Sequence, residues 1–179
     1  GTAFVSAGDN IGASLFASSV AQDAPTIDVL NALDLRASAV GNHEFDRGFD
    51  DLAGRVSDTS DAPQLGANVY RKGTTTPALD EYALVEADGL TVGFIGAVTQ
   101  ETPSLVTPTG IVDVEFGDAV EAVNRVATQL SDGDAANGEA DVLVALYHEG
   151  AGAGTPDGAT LDEEVAAGGP FAAIIEDTS

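Results

Sequence analysis

Only two histidines occur in the 179-residue sequence, and each sits directly beyond a short apolar run. His43 lies in Gly41-Asn42-His43-Glu44-Phe45-Asp46, after the run Ala37–Val40, and His148 opens the pair His148-Glu149 after the run Asp141–Tyr147. A third run, Ala3–Ala7, leads into Gly8-Asp9-Asn10. Asp9, Asn42 and both histidines therefore share one kind of position, just past a strand-like segment. In open α/β sheets ligands gather beyond the carboxyl ends of the strands, so parallel neighbouring strands would bring these groups to one edge. Carboxylate, amide and imidazole donors without thiolate suit Mn²⁺, Zn²⁺, Fe²⁺ or Mg²⁺. A strand-end aspartate alone is an ordinary turn residue. The conjunction is informative because it uses every histidine in the chain.

Other chemistries are excluded by spacing. His43-Glu44-Phe45-Asp46-Arg47 is not HExxH, because Arg47 occupies the place of the second histidine. The acidic stretch from Ser131 to Asp141 resembles a calcium loop but lacks glycine at its sixth position. Neither GxSxG nor a phosphate-binding P-loop is present.

The elements that must position these residues follow from the apolar pattern. Buried strands are expected at Ala3–Ala7, Ala37–Val40, Leu65–Val69, Tyr82–Glu86, Thr91–Val98 and Asp141–Tyr147. The fourth and fifth are joined across Ala87-Asp88-Gly89 and read as a hairpin. Helix signals lie between the strands. Asp23 is expected as an N-cap ahead of Pro25, with Ile27, Leu30 and Leu33 on one face. Phe49, Leu52 and Val56 fall at i, i+3 and i+7. Asp118 and Glu121 have capping-box spacing before a stripe of Val120, Val123, Ala127 and Leu130. The stretch 168–179 reads as a last helix started by Pro170 in preference to a short strand, and the glycine-rich tracts at 131–140 and 150–159 read as loops. Strands alternating with helices define an α/β layered domain.

Composition narrows the partners. Six basic against 30 acidic side chains give a net charge of −24. Such a surface repels nucleic acid polymers and anionic membranes. The absence of cysteine removes disulfides and thiolate metal sites. No apolar run approaches the roughly 20 residues of a membrane span.

These residues also carry a resemblance. The stretch from Gly41 to Gly48, GNHEFDRG, preceded by SAGDNIGAS and followed by LGANVY, VGFIGAVTQETP and VLVALYHEG, resembles the 5′-nucleotidase branch of the calcineurin-like metallophosphoesterases. The likeness runs in order from Val5 to about Gly150. It implies a layered α/β/β/α sandwich with mixed sheets, and two divalent ions (Mn, Zn, Fe, Mg or Ca) at the strand ends. By that resemblance Asp9 bridges both ions, and Asn42 and His148 are ligands of the second. His43, paired with Asp46, contacts the substrate phosphate and stabilises the transition state. The implied reaction is hydrolysis of small-molecule phosphate esters, nucleotides above all, by a secreted or cell-surface enzyme. The family's Asp-x-His strand, its Gly-His-x-His segment and its nucleoside-binding C-terminal domain have no counterpart in the sequence. The resemblance therefore implies that residues 1–179 form one partial catalytic domain, incomplete at both termini and impaired as it stands. A cyclic-nucleotide phosphodiesterase with the same metal core, or a non-catalytic acidic module with a degenerate site, is the alternative.

Overall fold

Strands and helices alternate from the first residues: β1 (Phe4–Ser6), α1 (Phe16–Ser19), α2 (Ala24–Ala32) and β2 (Leu35–Ala39). A 3-10 turn follows at His43–Phe45. Next, α3 (Phe49–Asp51) runs through a π-helical stretch, Leu52–Val56, into α4 (Ser57–Thr59). After β3 (Gln64–Leu65) and β4 (Val69–Arg71) come β5 (Tyr82–Ala87) and β6 (Leu90–Val98). Then follow α5 (Thr102–Leu105), a 3-10 turn at Pro108–Gly110, β7 (Val114–Phe116), α6 (Ala119–Gln129) and β8 (Val142–His148). The computed structural model describes residues 1–152 and 155–179, which divide into the units Gly1–His148 and Glu149–Ser179.

In the first unit β1, β2 and β3 form a parallel sheet in that order. A second sheet has β6 at its centre, antiparallel to β5 and parallel to β8. Strands β4 and β7 make a separate antiparallel pair. The alternating side chains of β6 show how the layers are built. Phe94 enters a core between the two sheets with Ala37, Ala39, Leu65, Val85 and Leu146. Ile95 and Ala97 point the other way, against Val123, Val126, Ala127 and Leu130 of α6 and its end. On the far face of the first sheet, Val40 joins Ile27, Phe45, Phe49, Leu52 and Val56. The order is helix, sheet, sheet, helix, the α/β/β/α sandwich expected. Each fully buried Val, Leu or Phe contributes about 1.5–3 kcal/mol. At Gly96 a Cβ would overlap the backbone of Leu65, so this glycine permits a close approach of the two sheets.

Local signals explain most boundaries. Asp118 accepts the amide of Glu121 at 2.9 Å and caps α6. The β5–β6 hairpin turns on Asp88 (φ 51°) and Gly89 (φ 80°), both left-handed as a two-residue turn of this kind requires. Phe49, Leu52 and Val56 are all buried, as their spacing predicts.

Three expectations need correction. The run Leu65–Val69 is not one strand. Its two ends belong to different sheets, separated at Asn68, whose buried side chain bonds the amide and carbonyl of Val98 and the carbonyl of Gly117. Asp23 does not cap α2 with its side chain. With φ at 60° it turns the carboxylate back to accept from the hydroxyls of Ser14 and Ser18 and the amide of Gly12. Leu33 is exposed, because α2 ends at Ala32 and only Ile27 is fully buried.

The second unit holds α7 (Leu161–Ala167) and α8 (Pro170–Asp177). Thr160 and Glu163 form a reciprocal capping box at the start of α7, a helix absent from the sequence reading. Pro170 opens α8 as expected. Of the loop expected over 150–159, residues 153 and 154 lie outside the described residues.

Candidate metal centre

Beyond β1 the chain turns through Gly8 (φ 101°) and Asp9 (φ 55°). Glycine enters this left-handed region freely, and aspartate tolerates it better than most residues. A Cβ at Gly8 would strike the backbone of Gly41, and one at Gly41 would strike Asp9 and the His148 ring. The turns after β1 and β2 therefore lie backbone against backbone. Asn10 ties them further, accepting from Ser6 Oγ and donating to Ser38 Oγ, each at 2.7 Å.

This contact brings Asp9, Asn42 and His148 together. The Nε2 atom of His148 lies 3.1 Å from Asn42 Oδ1 and 3.3 Å from Asp9 Oδ2. Its Nδ1 lies 2.9 Å from the carbonyl oxygen of Ala7. A carbonyl only accepts, so Nδ1 carries the proton, and in the neutral ring Nε2 presents a lone pair. Two further acceptor oxygens then face that lone pair. With the ring neutral the three converging atoms are all acceptors, which is the arrangement a cation satisfies; an imidazole N–H held by a backbone carbonyl is the usual support of a histidine ligand. The donor set therefore fits a divalent ion of the hard or borderline kind. Among the described residues no group of three or more His, Cys, Asp or Glu side chains is placed to hold a metal. The cluster has two such residues, Asp9 and His148, and its third donor is an amide.

His43 is placed differently. Its backbone amide donates to Asp9 Oδ1 at 2.9 Å. The ring Nδ1 lies 2.9 Å from Asp46 Oδ2, so the carboxylate holds that proton and fixes the tautomer. Both side chains are about one-third exposed, at 35% and 33%. Burial pulls the His43 pKa down. The hydrogen bond and charge of Asp46, with the charges of Asp9 and Glu44, outweigh it and hold the imidazole above its ordinary value.

Sequence reasoning passed over Glu44. Its carboxylate, 2% exposed, accepts the amides of Gly41 at 2.6 Å, Asp9 and Asn10 at 2.8 Å, and Ile11 at 3.4 Å. Burial raises its pKa, the backbone donors oppose this, and the neighbouring Asp9 charge adds to the rise, leaving it above the usual carboxylate value. The only signal in the sequence was its place in the turn, one residue before the buried Phe45.

All five expected site residues thus occupy one region, but not by the route expected. β1 and β2 are parallel neighbours, whereas β8 belongs to the opposite sheet. Convergence is across the sandwich, where β2 packs on β8.

A two-sheet sandwich that collects acid, amide and imidazole donors where its sheets meet, beside a carboxylate-held histidine, is the scaffold of a metallophosphoesterase. Comparison with known proteins agrees. The chain is 38% identical to the endonuclease YhcR of Bacillus subtilis over 138 residues, 70% of this chain and 11% of that protein. It is 37% identical to the cell wall protein Lmo0130 of Listeria monocytogenes, across 70% of this chain and 18% of that one. A 5′-nucleotidase of Vibrio cholerae is 28% identical across 72% of this chain and 23% of its own length. Among solved structures, the calcineurin-like phosphoesterase YfkN of Bacillus subtilis superposes with a TM-score of 0.69 at 26% identity, covering 93% of this chain and 55% of that one. The 5′-nucleotidase precursor of Thermus thermophilus gives 0.64 at 30% identity, covering 82% and 27%. No family model matches the chain. The chain belongs to the 5′-nucleotidase branch of the calcineurin-like metallophosphoesterases. It spans between 11% and 23% of the length of these three curated relatives.

Proposed function

We propose that this chain is part of the catalytic domain of a 5′-nucleotidase-like enzyme that hydrolyses phosphate esters of nucleotides. The observation that carries the reading is the meeting of Asp9 Oδ2 and Asn42 Oδ1 at His148 Nε2, with His43 held alongside by Asp46. Asp9, Asn42 and His148 would hold one divalent ion, and Asp9 would also contribute to a second. Bound divalent ions supply Lewis acidity, making water a better nucleophile and neutralising phosphoryl charge. His43 contributes a proton-bearing imidazole to a phosphoryl oxygen, and Asp46 orients that ring. Residues 1–179 supply three donors to one ion position and a single residue to the other, so this segment alone turns over little. The place of action is secreted or cell-surface, in keeping with a relative named as a cell wall protein. Among the described residues no helix is long and apolar enough to cross a membrane.

The test is metal-dependent release of phosphate from AMP by the longer parent protein, with and without chelator. Activity that survives complete metal removal rules the reading out. The relative named an endonuclease favours a second reading, cleavage of diesters. A net charge of −24 opposes binding of a polynucleotide, so cyclic nucleotides are the diester to compare with AMP. A catalytically silent acidic module would hydrolyse neither.

A further inference from the structure

Beyond Ser6 and Ser38 no strand pairing holds the first two turns together, because the β1–β2 ladder ends there and shifts register on its way. Besides the His43 amide bond to Asp9 Oδ1 and the Asn10 bond to Ser38, the turns are tied by the buried carboxylate of Glu44, which reaches from the second turn to three amides of the first, 33 to 35 residues away. We infer that Glu44 is a positioning residue for the metal donors, setting the register of the two turns so that Asp9 and Asn42 meet His148. This rests on the proposal that those three residues hold a divalent ion. Both Glu44 oxygens are used: Oε1 accepts from Asn10 and Ile11, and Oε2 from Asp9 and Gly41. A glutamine here would turn N–H groups toward N–H donors. An aspartate would keep the charge but fall one methylene short of the amides. Both the reach of the side chain and its acceptor-only character are therefore required.

The experiment is calorimetric titration with Mn²⁺, together with thermal unfolding, on the 179-residue chain. The set is wild type, Glu44→Gln, Glu44→Asp, Val126→Ala and the double variant Asn42→Ala/His148→Ala. Both Glu44 variants are expected to weaken Mn²⁺ binding about 10–100-fold, the usual effect of losing a group that supports metal ligands. Val126→Ala loosens packing between α6 and the second sheet; it should lower Tm and leave the Mn²⁺ affinity unchanged. Wild-type affinity in either Glu44 variant overturns the inference, and so does equal weakening by Val126→Ala. If wild type and the double variant bind alike, the metal reading fails instead. Amide hydrogen exchange in metal-free wild type tests the tether itself. Slow exchange at Gly41, Asp9 and Asn10 is expected, and fast exchange there overturns it even if neither Glu44 variant folds.

Discussion

The Nε2 atom of His148, the last residue of β8, stands 3.1 Å from Oδ1 of Asn42, which lies in the turn after β2 of the opposite sheet. The same nitrogen is 3.3 Å from Asp9 Oδ2. The 179-residue chain should accordingly bind one Mn²⁺ or Zn²⁺ ion specifically but weakly. Calorimetry on wild type and on Asn42→Ala/His148→Ala checks this. Equal heats for the two proteins would mean that only diffuse surface charge attracts the ion.

The two histidines should separate in kinetics of the longer parent protein. His43→Ala is expected to lower kcat by about 10²–10⁴-fold, the range for a positioned proton-transfer group, with metal content unchanged. His148→Ala should instead reduce metal occupancy, and excess ion should restore part of the activity. Loss of metal from His43→Ala to the same extent would contradict the assignment.

Gly41→Ala should abolish specific Mn²⁺ binding, because the added Cβ meets both Asp9 and the His148 ring. Circular dichroism should still report the α/β fold, since the clash lies in the turn and not in the core. Undiminished binding would show that the turns do not need this contact.

Asp23 predicts an acid limit on stability. Burial raises its pKa, but hydrogen bonds from Ser14, Ser18 and Gly12, with the charge of Arg47, bring it below the ordinary value. A carboxylate with a lowered folded-state pKa stabilises the fold fully above its unfolded pKa. That contribution disappears as the pH falls through the folded value. Asp23→Asn should therefore cost about 1–3 kcal/mol at pH 7, and the gap to wild type should shrink below the ordinary carboxylate range. Urea unfolding at pH 7 and pH 3 measures both gaps; a constant gap would contradict the argument.

The strand ends that carry Asp9, Asn42 and His148 were legible because apolar runs stop sharply at each of them. The pairing of those strands was not. A continuous apolar run such as Val142–Tyr147 reads as a strand covered on both faces, yet in β8 only Leu146 is buried, because the strand lies at the end of its sheet; the run did not reveal which strand β8 pairs with. The run Leu65–Val69 failed for a related reason. Its apolar pattern hides the switch at Asn68, where side-chain amide bonds replace strand pairing. Glu44 was obscured by its company, because 30 acidic residues make any one carboxylate look solvated. Asp23 had the right residue type for a cap, and only the left-handed backbone sent its carboxylate elsewhere.

Because the donors come from both sheets, an ion at this centre would act as a removable rivet through the sandwich. Association of such an ion with the native chain alone stabilises it by mass action, about 2.7 kcal/mol when free ion reaches one hundred times its Kd. Tm would then climb with ion concentration, and chelation would loosen the seam between the sheets where Gly96 rests on Leu65. The melting curve of this protein would thus double as a titration of its metal, readable without any substrate.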